Sequence, residues 1–235
     1  MLEANAGSFR LFRLFGIDVW LHWSWFIVAY LQFQLGGDRF NNSLWHVATY
    51  LSLFGIVLLH EFGHSLACKS VGGHADRIIL WPLGGVAFVR PPPRPGAVLW
   101  SIAAGPLVNL LLAPVTLSLL LLVLSLNLDN DPRTWSDIER YAVAVTSINI
   151  MLFIFNMLPI YPLDGGQIAR EVLVQQNPGK GIIQSLWLSV FTAACLAVFA
   201  LSRESIFMTL MFGYLAYSSY ATIQAYTGRG GGQGW

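Results

Sequence analysis

A cluster of ionisable side chains inside an apolar run constrains this chain more than any other feature. Residues 45–68 contain only one acidic residue and no Lys or Arg. As a helix they are long enough to cross a hydrocarbon core of about 30 Å. Near the end of the run stands His60-Glu61-Phe62-Gly63-His64. Positions i and i+4 share a helix face, so the two imidazoles can reach one ion together. Glu61 lies about 100° further round the helix, within reach of a water at that ion. Two His ligands beside a carboxylate base are the working parts of a zinc hydrolase. The plainer alternative is a pair of core histidines with Glu61 snorkelling to an interface. Ionisable groups inside a span are functional by default.

Composition sets the class around that motif. The chain is 55% hydrophobic and 11% charged, with a mean hydropathy of +0.59. These values describe a polytopic membrane protein, with the lipid bilayer as its first partner. A net charge of +1 gives no electrostatic case for nucleic acid. Cys68 and Cys195 both lie in apolar runs and read as small buried hydrophobes rather than a disulfide.

The expected fold is all-α, with about six transmembrane helices at 17–35, 45–69, 97–125, 138–158, 181–201 and 204–222. The first run lacks a small-residue cleavage pattern and is expected to remain as a span. Between the second and third spans, Gly72-Gly73, Pro82-Leu83-Gly84-Gly85 and Pro91-Pro92-Pro93 punctuate short apolar runs. That punctuation predicts a small membrane-associated β-hairpin with strands near 76–81 and 85–90. Residues 1–225 read as one transmembrane domain, and 226–235 as a flexible Gly-rich tail. Six spans with a cytoplasmic N-terminus place nine basic residues inside, among them Lys69, Arg77, Arg90, Arg94, Arg170 and Lys180. Four fall outside: Arg39, Arg133, Arg140 and Arg203. The positive-inside rule therefore favours the cell membrane with both termini cytoplasmic.

A catalytic zinc takes three protein ligands and keeps one position open. Cys68 continues the i, i+4 series, but it has turned about 80° from His60. Asp164 suits the role better. It closes the segment from Asn156 through Pro159, Pro162 and Leu163 to Gly165-Gly166, whose prolines and glycines break a helix. Broken backbone at membrane depth belongs beside protein or a wet cavity. A turn-capping Asp164 is the alternative. His22 reads as a packed or interfacial histidine, while His46 and His74 are not at the depth of the motif. Asn109, four residues after Gly105, reads as a hydrogen-bonding group at a close helix contact.

Taken together, the motifs resemble those of the site-2 protease family of intramembrane zinc metalloproteases. The resemblance rests on His60 to His64 and on Asn156, Pro159, Leu163, Asp164 and Gly165. Weaker matches are Gly16 to Ser24, Gly84-Gly85-Val86 and Ala104 to Asn109. It implies one Zn2+ per chain held by His60, His64 and Asp164, with Glu61 as the general base. Asn156 would stabilise the oxyanion or position the substrate. Gly84, Gly85 and Val86, in the hairpin, would hold an extended substrate strand. The implied activity is hydrolysis of peptide bonds in or near the transmembrane segment of a single-span protein. A membrane-bound zinc protease acting on juxtamembrane or soluble peptides uses the same residues. A metal transporter would call for ionisable residues along a path, often with inverted repeats, and the sequence has no repeat.

Overall fold

The computed structural model describes residues 7–35, 40–81, 84–126 and 135–229. The chain divides into two compact units, Met1–Phe153 and Ile154–Trp235. In the first, strands β1 (Ser8–Leu14) and β2 (Ile17–His22) precede helices α1 (Trp25–Leu35) and α2 (Ser43–Ser70). Strands β3 (His74–Trp81) and β4 (Gly84–Arg90) then lead to helices α3 (Pro95–Ser125) and α4 (Asp137–Asn156). The second unit holds the end of α4 and helices α5 (Asp164–Gln176), α6 (Gly181–Ser202) and α7 (Ile206–Arg229).

Among the described residues, five helices are long and apolar enough to cross a membrane: α2, α3, α4, α6 and α7. They match five of the six expected spans. The first expected span, 17–35, is not one helix. Its opening residues form β2, and α1 has 11 residues, about 16 Å of helix against the 30 Å a span needs. The sequence signal was local. Phe15 and Gly16 both have positive φ, 51° and 72°, and join Leu14 to its partner Ile17 in the two-residue turn that suits a right-twisted hairpin. After that turn, Ile17, Val19 and Leu21 alternate with Asp18 and Trp20, which is strand periodicity.

The expected hairpin exists as β3–β4, but within a larger sheet. Strand order is β1-β2-β3-β4, with β2 and β3 parallel and the outer pairs antiparallel. One sheet face packs on α2: Ile17, Val19, Leu21, Ile78 and Leu80 form a core with Trp25, Val57 and Phe62. The strands therefore lie alongside α2. The Phe15 carbonyl accepts from Lys69 Nζ at 2.8 Å, and the Trp25 carbonyl accepts from the Tyr50 hydroxyl at 3.0 Å. Between those two points the chain runs back along α2 for about 28 Å. Helix α7 continues to Arg229, so the first four residues of the expected tail are helical. Residues 230–235 lie outside the described residues, as do Pro82 and Leu83 of the expected turn.

Candidate active site

The motif lies where sequence periodicity puts it, in the second half of α2, with His60, Glu61 and His64 all buried. Close helix packing brings α3 against them. A methyl group at Gly63 would stand 2.6 Å from the Ala104 carbonyl oxygen, so α2 and α3 touch backbone to backbone there. That closeness lets α3 hold both rings. The Nδ1 of His64 is 2.8 Å from the Ser101 carbonyl oxygen, which can only accept. Nδ1 of His64 therefore carries the proton, and Nε2 carries the lone pair. The Nδ1 of His60 meets Asn109 Oδ1, with the same result.

The two Nε2 atoms lie 3.1 Å apart. Two imidazole lone pairs at that separation repel unless positive charge lies near both, and a divalent ion suits that need. Gly105 of α3 leaves the room. A Cβ at this position would lie 2.8 Å from His60 Nε2 and closer still to His64 Nε2, filling the cradle beside both nitrogens. Donor chemistry and free space thus both fit a bound metal.

Strand β4 brings the hairpin to Glu61. A Cβ on Gly85 would stand 2.6 Å from Glu61 Oε1, so the carboxylate lies directly on the β4 backbone. Gly84 and Gly85 are half-buried and Val86 is exposed. Strand β4 ends the sheet. The structure thus groups His60, Glu61, His64 and the Gly84–Val86 strand around one stretch of α2.

In the second unit, Asp164 is buried at the first position of α5, where the helix N-terminus favours a carboxylate. The preceding turn is pinned to α6: Tyr161 N–H donates to Ser189 Oγ at 3.0 Å, and Ser189 donates to the Ser185 carbonyl at 2.9 Å. A side chain at Gly165 or Gly166 would overlap the backbone of Met157 or Ile160, which explains the glycine pair. Asp164 is thus a buried carboxylate of the second unit, as His60 and His64 are buried nitrogen donors of the first. Asn156 is half-buried at the end of α4. Cys68 directs its thiol to the His74 carbonyl at 3.4 Å. His22 sits on β2 rather than in a span, bonded to Ser24 and stacked on Trp81. Ser101 and Asn149 are residues that sequence reasoning did not reach. A serine used through its carbonyl leaves no side-chain signature, and a single Asn in a span reads as helix-to-helix glue.

A polytopic protein with a metal-binding motif on a transmembrane helix, flanked by a sheet edge, defines a class of membrane-embedded metalloproteins. Comparison with known proteins then gives the family. The profile of peptidase family M50 matches residues 48–132 and 130–198. The chain belongs to that family, the site-2 proteases. It is 33% identical over 166 residues to a zinc metalloprotease of Methanocaldococcus jannaschii, covering 71% of this chain and 45% of that protein. It is 30% identical over 139 residues to stage IV sporulation protein FB of Bacillus subtilis, covering 57% and 43%. The chain thus spans less than half the length of these curated relatives. The solved structure of a site-2 protease from M. jannaschii superposes with a TM-score of 0.61 at 26% identity, covering 91% of this chain and 94% of that one. Zinc is the metal of this family's named metalloproteases.

Proposed function

We propose that this chain is a zinc-dependent endopeptidase that cuts peptide bonds in or near the transmembrane segment of single-span membrane proteins. The observation that carries the reading is the convergence of two Nε2 lone pairs beside a buried Glu61 that rests on a sheet-edge strand. His60 and His64 would hold zinc through Nε2, with Asp164 as the third ligand. Bound there, zinc supplies Lewis acidity and makes water nucleophilic near neutral pH.

The residues divide the remaining work. Glu61 takes a proton from the attacking water and returns it to the leaving amine. Asn156 donates to the developing oxyanion or to the substrate backbone. A helical substrate hides its scissile carbonyl in its own hydrogen-bond ladder, so it must be extended first. Strand β4 supports that step, because an extended segment can add to the open edge of a sheet. The position of the sheet along α2 adds weight. Open strand edges at membrane depth are tolerated only against protein or a water-filled cavity, and a protease working there needs both substrate and water.

Orientation follows from the same layout. Lys69 and Arg94 flank the β3–β4 hairpin and Arg77 and Arg90 lie on its strands, which favours the cytoplasmic side of the cell membrane for that end of α2. From Phe15 at that end the chain runs through β2 and α1 back towards the start of α2. A sixth crossing made by strand and short helix would leave Phe15 and the C-terminus on the cytoplasmic side, while β1, antiparallel to β2, returns Ser8 to the level of His22.

The test pairs Glu61→Gln with His60→Ala in purified protein. Glu61→Gln is expected to keep zinc and lose cleavage of a single-span substrate, and His60→Ala to lose both. Undiminished proteolysis by Glu61→Gln would remove the assigned base. Cleavage confined to soluble peptides would favour the juxtamembrane alternative.

A further inference from the structure

The route from His60 to α4 contains a device that the catalytic reading does not use. His60 Nδ1 meets Asn109 Oδ1. Asn109 Nδ2 donates to Asn149 Oδ1 at 2.9 Å, and Asn149 Nδ2 donates to the backbone carbonyl of Asn109 at 3.0 Å. Both asparagines are 0% exposed, and buried carboxamides are held where every polar atom has a partner.

A carboxamide can turn over, presenting oxygen or nitrogen to a neighbour at almost the same shape. If Asn109 turned over, its Nδ2 would donate to His60 Nδ1. The proton of His60 would then move to Nε2, and that nitrogen could not bind a metal. Asn149 prevents this. The carbonyl of Asn109 is backbone and can only accept, so Asn149 must present Nδ2 to it. Its Oδ1 is then left facing Asn109 Nδ2, and Asn109 Oδ1 is left facing His60. One fixed carbonyl on α3 sets the direction of every bond in the chain.

We propose that Asn149 is a positioning residue that locks His60 in its metal-binding tautomer without touching it, acting through Asn109. The inference rests on His60 being a zinc ligand. Neutral groups do here what a carboxylate does for histidine ligands in soluble sites, without placing another charge at membrane depth.

The experiment measures zinc affinity of the purified full-length protein in detergent by chelator competition. The absorption spectrum of the Co2+-loaded protein and the thermal midpoint of the metal-free protein accompany it. Asn149→Leu removes the anchor and is expected to weaken zinc binding by about 10- to 100-fold and to alter the Co2+ spectrum. Asn109→Asp alone sets a carboxylate oxygen against Asn149 Oδ1 and should cost affinity. In Asn149→Leu that clash is gone, and a carboxylate accepts with either oxygen and has no wrong orientation. For that reason Asn109→Asp should rescue Asn149→Leu to within about threefold of the parent. A helix-packing role for Asn149 would give no such rescue. Parental zinc affinity in Asn149→Leu, or a double variant no better than Asn149→Leu alone, overturns the inference. If Asn149→Leu does not fold, Asn149→Ala replaces it with the same two outcomes. His60→Ala separates the underlying reading: full zinc affinity there removes His60 as a ligand and the inference with it. Loss in His60→Ala with parental affinity in Asn149→Leu overturns the inference alone.

Discussion

Gly85 on β4 faces the carboxylate of Glu61 so closely that one added methyl would stand 2.6 Å from Oε1. A real Cβ does not tolerate that separation, so either the strand or the carboxylate must move. Strand β4 is tied to β3 along its length, which leaves Glu61 as the group that gives way. Gly85→Ala is therefore expected to lower the turnover of a transmembrane substrate at least about tenfold, within the range a displaced general base loses. Zinc content should be unchanged. Equal turnover in the two proteins would show that Glu61 does not act from this position.

Gly105→Ala tests the other side of the site. Its methyl would enter the cradle of His60 and His64 Nε2, so zinc affinity should collapse. The metal-free fold should survive, because the nearest atoms are imidazole tips that can turn aside. Ala is also the better helix former by up to about 1 kcal/mol. Chelator competition together with the metal-free melting temperature reads both halves. Loss of zinc with a retained or raised melting temperature is the expected pair.

The sequence spoke clearly where chemistry and periodicity are local. His60 and His64 sit one helical turn apart, and both fall on the buried face of α2. Residues 17–35 were misread because apolar content alone does not separate a span from a buried strand followed by a short helix. The Phe15-Gly16 turn was the available clue. Helix α5 was hidden by its mixed polar content and by the prolines before it. Asn109 was legible as a residue that bonds across a helix contact, but not that its partners would be His60 and Asn149. Partners 49 and 40 residues away are fixed by packing, which leaves no mark on local pattern.

Proline substitution along β4 separates the two edges of that strand. Successive residues point their N–H groups to opposite sides, so of Val86 and Ala87 one donates towards β3 and the other towards the open edge. Val86→Pro and Ala87→Pro should therefore differ. One is expected to lower the melting temperature by breaking the sheet. The other should leave stability near the parental value and raise KM for a transmembrane substrate several-fold. Parental KM in the stable variant would argue against strand addition as the mode of substrate binding.

Asp164 decides whether the third donor is a ligand or a cap. A ligand that binds the folded chain stabilises it by RT ln(1 + [L]/Kd), about 2.7 kcal/mol when free zinc is 100 times Kd. Chelation should therefore lower the melting temperature of the parent and abolish cleavage, with both restored by added zinc. Asp164→Asn keeps the size of the side chain and an oxygen for the first turn of α5, but removes the charge. If Asp164 is a ligand, this variant should lose most of the zinc-dependent rise in melting temperature, as His60→Ala should. If Asp164 serves only the helix start, the metal-free melting temperature should fall by the modest amount a terminal charge contributes. The zinc-dependent rise would then remain whole. The zinc-dependent rise, compared across parent, His60→Ala and Asp164→Asn, separates the two roles without reference to activity.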